Sequence, residues 1–438
     1  MNFDFDNMTP EMIEALDLTE KAHKLIENDA FDAAAQALAQ AEDIEPMCIR
    51  IYIERGGLYA LQDQYDEALA EYEKARLIDK NNAEVQYMMG NTYLLKAEFT
   101  NALEAYRKAE EYGYRSPFMV NNMGACCEQL HQLDNANAYY SEAARMQPDW
   151  IEPRMRQVNV LMIMQKHEEA RSVAEKAVQD FPHNSQVYCA LADVLVVMEE
   201  LEEADRLLET AMTNVVDTKT IMIKQLNVWY FLDQFDRMQA QIAKLHEMEL
   251  DDEEADIVDQ AEGELDLRME KPDEARAAYE RVLSREKPDN IRVETRMVLM
   301  TIYKVMEDYA NLRKLAVSSL NTPMADSLLC SGYAMEAIAV QGLKQEEEAQ
   351  ELFRRALMKY RVLSIRNRDR MDVHVYRIMC HIGLKEYDKA GEELDYVEQI
   401  LGSSGMTQQL RVEILKGQGK DVEASELEAK LHQGEDDD

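Results

Sequence analysis

The sequence predicts an all-α solenoid of antiparallel helix pairs, and three observations carry that prediction. Small residues recur every 34 positions: Gly56, Gly90 and Gly124, then Ala68, Ala102 and Ala136, then Ala75, Ala109 and Ala143. Within each interval the apolar positions keep helical spacing. Polar breaks such as Asp79-Lys80-Asn81-Asn82 close the intervals. An interval of that length is neither a helical nor a strand period; it is the length of a supersecondary unit used repeatedly.

With Ile49 as position one, the unit 49–82 carries Tyr52 at four, Gly56 at eight, Tyr59 at eleven, Ala68 at twenty, Tyr72 at twenty-four and Ala75 at twenty-seven. Positions four, eight and eleven share one helical face, and the last three share another. Antiparallel helices approach closely only where the crossing side chains are small. Gly56 is therefore expected against Ala68, with tyrosines filling the space on either side. This set of positions resembles the tetratricopeptide repeat, because five or more of them recur together in register. The resemblance implies a right-handed superhelix whose concave groove is lined by the first helix of each unit.

In chain order, residues 1–14 form an N-terminal tail, expected to be disordered over 1–8, and the start of the first helix. Thr9-Pro10-Glu11 supplies an N-cap, a proline at the first helical position and a first-turn acid. The regular array spans 15–252. Its first unit, 15–48, holds Ala22, Ala34, Ala41 and a terminating Pro46 in register, and Pro148 and Pro182 repeat that stop. The unit 219–252 keeps the length but places Trp229 at position eleven and Met238 at position twenty. A degenerate array with longer units spans 253–404, since Met238, Ala275, Leu312 and Ala349 stand 37 apart. Three extra residues make nearly one helical turn, so longer helices or longer turns are expected there. Residues 405–438 read as capping helices and an acidic tail. The count is twelve units.

In the family, positions two, five, six and nine of the first helix point into the groove. On this sequence they include Arg50, Tyr87, Asn91, Asn121, Asn122, Arg156 and Asn159. An Asn side chain is both donor and acceptor, so a ladder of them can clamp the backbone of an extended peptide. The competing reading is a row of solvated amides. The family variant that grips chaperone C-termini uses Lys at five and Asn at nine of one unit. Unit 49–82 has Ile53 and Gly57 there, and unit 83–116 has Tyr87 and Asn91, so that specificity is not expected.

The net charge of −38, from 48 basic and 86 acidic residues, argues against nucleic acid and anionic membrane as partners. No secretory signal is visible at the acidic N-terminus, and no apolar run approaches the roughly 18 residues of a membrane span. A cytoplasmic protein is expected, with its six cysteines reduced and mostly buried. His374 and His381 beside Cys380 have metal-binding chemistry, but they fall on positions four and eleven, so packed histidines are expected. The vicinal pair Cys126-Cys127 and most of the 27 methionines read likewise as core. No P-loop, GxSxG, HExxH or dinucleotide turn occurs, so neither catalysis nor a cofactor nor a metal is expected.

Two charge runs stand out. Residues 247–274 hold 14 acids against Arg268 and Lys271, which reads as a solvated face. Residues 354–377 are basic inside an acidic protein. There Arg361, Arg366, Arg368, Arg370 and Arg377 suggest a patch for an acidic partner, or for the chain's own Glu435–Asp438 tail, beside the reading of a solvated turn. The segment Ser364–Arg370 is expected as a longer turn or a helix extension. Together these features imply a non-catalytic scaffold binding a protein or peptide in its groove. The alternatives are a regulatory subunit or chaperone-like assembly factor that uses the basic patch, or an activity that no motif reveals.

Overall fold

The structure, a computed structural model, describes residues 9–366 and 370–434. The tail at 1–8, Arg368 and the acidic tail Glu435–Asp438 lie outside the described residues. Among the described residues there are 24 helices and no strand. Two compact units divide the chain, Met1–Lys224 and Gln225–Asp438.

The first unit is a run of helix pairs. α1 (Pro10–Ile26) pairs with α2 (Phe31–Ile44), α3 (Ile49–Leu61) with α4 (Tyr65–Ile78), and α5 (Ala83–Leu95) with α6 (Phe99–Glu111). Then come α7 (Pro117–Gln129) with α8 (Leu133–Met146), α9 (Glu152–Ile163) with α10 (His167–Asp180), and α11 (Ser185–Val197) with α12 (Leu201–Asn214). The division falls inside α13 (Thr218–Phe231), which α14 (Phe235–His246) follows. The second unit continues with α15 (Asp252–Arg268) and α16 (Pro272–Ser284), then α17 (Val293–Val305) and α18 (Tyr309–Leu320). It ends with α19 (Ser331–Gly342) and α20 (Glu346–Arg366), α21 (Met371–Gly383) and α22 (Tyr387–Leu401), and α23 (Gly405–Gly417) and α24 (Asp421–Gly434).

One left-handed residue turns each pair. Asp29, Asp63, Ala97, His131, Gln165, Glu199 and Asp233 step by 34, and Glu270, Glu307 and Lys344 continue at 37. Lys385 and Gly419 serve the last two pairs. At Ala97 the Glu98 N–H bonds the Tyr93 carbonyl at 2.8 Å, and the Ala97 N–H bonds that of Leu94 at 3.0 Å. This Schellman arrangement satisfies the last carbonyls of α5 with backbone alone. The Ala102 N–H then bonds the Glu98 carbonyl at 3.0 Å, so α6 starts at once. At the start of a pair, side-chain caps take over: Thr9 accepts from Met12 N, Asn82 from Val85 N and Ser116 from Met119 N.

The crossing inside three of the pairs centres on a tyrosine. A Cβ on Gly90 or Gly124 would meet the Tyr106 or Tyr140 ring at 2.5 and 2.7 Å, and Gly56 faces Tyr72 in the same way. The glycine at position eight therefore seats the tyrosine at position twenty-four, whose ring atoms lie nearest to it. A flat, rigid ring lying across a helix needs a hole as deep as a side chain, whereas an alanine does not. Those three tyrosines are fully buried, as are Ala68, Ala102 and Ala136. Gly263 seats Tyr279 similarly, while Gly383 and Gly417 seat Phe353 and Tyr387, which lie on preceding helices.

The longer units use both expected devices. α15 has 17 residues and α20 has 21, whereas residues 285–292 and 321–330 lengthen the connections. α20 runs on through Arg366, so the extra residues there begin as a helix extension. The acidic run is solvated over most of its length, but not throughout. Asp256 and Asp259 are buried on α15, where Arg285 bonds both, Arg292 reaches Asp256, and Arg281 reaches Asp259 at 2.6 Å. Acids at i and i+3 share a face, and here that face meets a row of arginines from α16 and the connection after it.

Candidate functional site

The tyrosine seated on each glycine also delivers a hydroxyl to the first-helix face. Tyr106 Oη donates to Asn91 Oδ1 at 2.8 Å, and Asn122 Nδ2 donates to the same oxygen at 3.3 Å. Tyr106 thus ties Asn91 on α5 to Asn122 on α7. One repeat later, Tyr140 Oη donates to Glu128 at 2.7 Å, and Arg156 lies against the Tyr140 hydroxyl. Arg156 Nε also donates to Glu152 at 2.9 Å. Burial pushes both phenols above the ordinary tyrosine value, so they stay protonated donors at neutral pH.

Tyr87 extends the amide pair into an aromatic wall. Its ring lies 4.6 Å from that of Tyr114 and 6.2 Å from that of Tyr106, centroid to centroid. Tyr114 in turn lines a cleft of about 550 Å³ together with Met12, Leu16, Arg50, Ile53 and Glu84. Arg50 is held at the cleft by Glu54 at 2.8 Å and Glu84 at 3.0 Å. One surface therefore runs from an apolar cleft with a paired charge, past Tyr114 and Tyr87, to two amides that the buried Tyr106 holds from beneath.

Not every expected groove residue joins it. Asn121 is buried in α7, only 4% exposed, and its Oδ1 has no partner among the described residues. Positions five and six lie about 100° apart around a helix, so adjacent asparagines cannot share one face. Asn159 is exposed, and no described hydrogen bond ties it to Asn91 or Asn122. The members the sequence reading missed are Met12, Leu16 and the pair Tyr112 and Tyr114. Met12 and Leu16 precede or begin the periodic array, and the tyrosines sit in its variable connection, so the 34-residue ladder does not mark them.

The basic segment is partly neutralised from within. Arg370 bonds Asp372 and the Ser327 carbonyl and lies 3.1 Å from Cys330 Sγ, and Arg377 pairs with Glu393 at 3.0 Å. Arg361 and Arg366 are exposed. Burial pushes the Cys330 thiol up to about 12, which keeps it protonated despite Arg370. His374 and His381 are each bonded to a carboxylate, Glu393 and Glu386 respectively. A different cluster, His246, Asp259 and Glu262, brings three ligand atoms within 4.8 Å of one another. Arg281 already bonds both of its carboxylates.

Three family profiles match the chain: TPR repeat over residues 56–96, and tetratricopeptide repeat over 83–112 and over 161–218. No curated protein matches. Among solved structures, YrrB, "a TPR protein with an unusual peptide-binding site", is 22% identical, spans 42% of this chain and 96% of its own, and gives a TM-score of 0.37. A tetratricopeptide repeat protein from Parabacteroides merdae is 16% identical over 57% of this chain and 98% of its own, with a TM-score of 0.41. A structure of Naa15/Naa10 bound to HypK-THB is 15% identical over 95% of this chain and 68% of its own, with a TM-score of 0.37. The matches at 56–96 and 83–112 fall on repeats whose glycine and tyrosine contacts are described above, and over the matched segments the chain carries tetratricopeptide repeats.

Proposed function

We propose that this protein is a non-catalytic interaction scaffold whose first-helix face between α1 and α7 holds an extended peptide segment of a partner protein. The observation that carries the reading is the surface from the Met12, Leu16 and Ile53 cleft through Tyr114 and Tyr87 to Asn91 and Asn122, with the buried Tyr106 fixing the amides from beneath. An apolar side chain of the peptide occupies the cleft beside the Arg50–Glu84 pair. Tyrosine rings offer large contact area at low entropic cost, and the amides meet the peptide backbone. The hydrogen bonds described use Asn91 Oδ1 and Asn122 Nδ2, and Asn91 also bonds the Tyr87 hydroxyl, so Asn122 Oδ1 is the acceptor left for the peptide.

The regulatory-subunit alternative places the partner on the basic segment. Two of its four described arginines already hold partners in this chain, so the groove is the better supported surface. Panning a random peptide library against the full chain tests the choice. Enriched peptides lose about tenfold or more in affinity when Asn91 and Asn122 are both changed to Ala, with the melting temperature nearly unchanged. Peptides that bind the double variant as tightly as the parent place the site elsewhere.

A further inference from the structure

Position four of the repeat is a core position, filled by Tyr52 and Tyr188 in other units, whose hydroxyls reach the carbonyls of Pro46 and Pro182. In α9 that position holds Arg154. It is only 7% exposed, its Nη2 pairs with Asp180 at 3.0 Å, and its guanidinium lies 5.0 Å from the centre of the Phe181 ring. Its Nη1 is buried and has no partner among the described residues. A charge taken from water is costly unless all its donors are used, so one idle guanidinium nitrogen at a core position calls for an acceptor.

Arg154 is also part of the wall of a cleft of about 440 Å³ between α8, α9 and α10, shared with Ser141, Arg145, Gln157, Ser172 and Lys176. Arg145 has only a loose contact with Glu142 at 3.9 Å and is 78% exposed along its side chain. Lys176 is exposed, and no described carboxylate pairs with it. Three cations thus line one cleft of a chain that carries −38 overall, with Asp180 the carboxylate already committed to Arg154. None of these residues belongs to the surface between α1 and α7.

The geometry points to an oxyanion-binding site, and specifically to a cleft for the phosphate of a phosphorylated serine or threonine on a partner protein. A carboxylate has two oxygens to satisfy. A phosphate monoester presents three and carries up to two charges, which matches a buried guanidinium, a second arginine, an ammonium and two hydroxyls contributed to the cleft by α8, α9 and α10. The volume is larger than a free ion needs and leaves room for the flanking peptide. That the bearer is a protein rests on the scaffold reading above, but the oxyanion chemistry does not.

Isothermal titration of the full chain with a short phosphoserine peptide tests this, beside the same peptide carrying serine, the same peptide carrying glutamate, and inorganic phosphate. The phosphoserine peptide binds at one site per chain, and added salt weakens it. Arg145→Gln with Lys176→Gln, both on exposed side chains, weakens it about tenfold or more while leaving the melting temperature unchanged. Arg154→Gln, which also frees Asp180, is read only if that variant keeps its fold by circular dichroism. Asn91→Ala with Asn122→Ala leaves phosphoserine binding unaltered, so failure of the groove reading is distinguishable from failure of this one. Equal binding of the serine or glutamate peptide, binding of inorganic phosphate alone, or binding indifferent to the Arg145 and Lys176 changes overturns the assignment.

Discussion

Gly124 and Tyr140 make the repeat's central contact, and the contact explains why glycine stands in the middle of a helix at a cost of roughly 0.5–1 kcal/mol relative to alanine. Gly124→Ala would remove that entropic cost, yet its Cβ would lie 2.7 Å from a fully buried ring. Overpacking is the larger effect, so a net destabilisation of about 1–3 kcal/mol is expected by urea denaturation. A stabilised variant would show that the ring is free to move. At this scale the sequence was only partly legible. The glycine and tyrosine recur in register, but their pairing depends on which way each helix faces its neighbour. The left-handed turn residues are hidden for another reason: Asp63, Ala97, His131 and Gln165 share no chemistry that marks a positive φ. Arg154 did leave a signal, a charged residue at a position that holds Tyr52 and Tyr188 in other units of the regular array.

At the scale of one helix, α15 shows how charge composition misleads when taken without its partners. Fourteen acids in 28 residues read as solvent-facing, yet Asp256 and Asp259 are 4% and 2% exposed and depend on Arg281, Arg285 and Arg292. The arginines lie 22 to 36 residues further along the chain, beyond the reach of any local pattern. Arg285→Ala would leave two buried carboxylates short of a partner. The expected cost is about 3–5 kcal/mol, the range for breaking a buried pair. Arg268→Ala on the same helix, whose charge meets Asp233 at 3.6 Å with both side chains mostly exposed, should cost under roughly 1 kcal/mol. Equal effects from the two changes in thermal denaturation would remove the distinction between them. The helix spans, in contrast, were legible almost everywhere, because caps such as Thr9 and Asn82 and the stops at Pro148 and Pro182 act locally.

Across the chain the alanine and glycine ladders made the fold class legible, and the change of step from 34 to 37 marked where the units lengthen. The buried tyrosines that follow from this architecture set its behaviour in alkali. Burial raises the phenols of Tyr72, Tyr106 and Tyr140, so the folded chain keeps protons that the unfolded chain releases near pH ~10. Stability from these groups is full below that pH and falls as pH rises through the folded values. The urea midpoint should therefore hold steady up to pH ~10 and then decline. Tyr140→Phe should lower the midpoint at neutral pH, through the lost bond to Glu128, but make the decline shallower. A midpoint that stays flat to pH ~11 would contradict burial of these phenols.

The central claim is that the first-helix face between α1 and α7 is a peptide-binding surface, and hydrogen exchange tests it most directly. Exchange of the full chain is compared with and without a peptide selected from the library. The account predicts added protection at the α3, α5 and α7 segments that carry Arg50, Tyr87, Asn91 and Asn122, and at Tyr112–Tyr114. No change is predicted in α22 or α24. Protection confined to the segment around Arg361 and Arg366, with the first-helix segments unchanged, would contradict it.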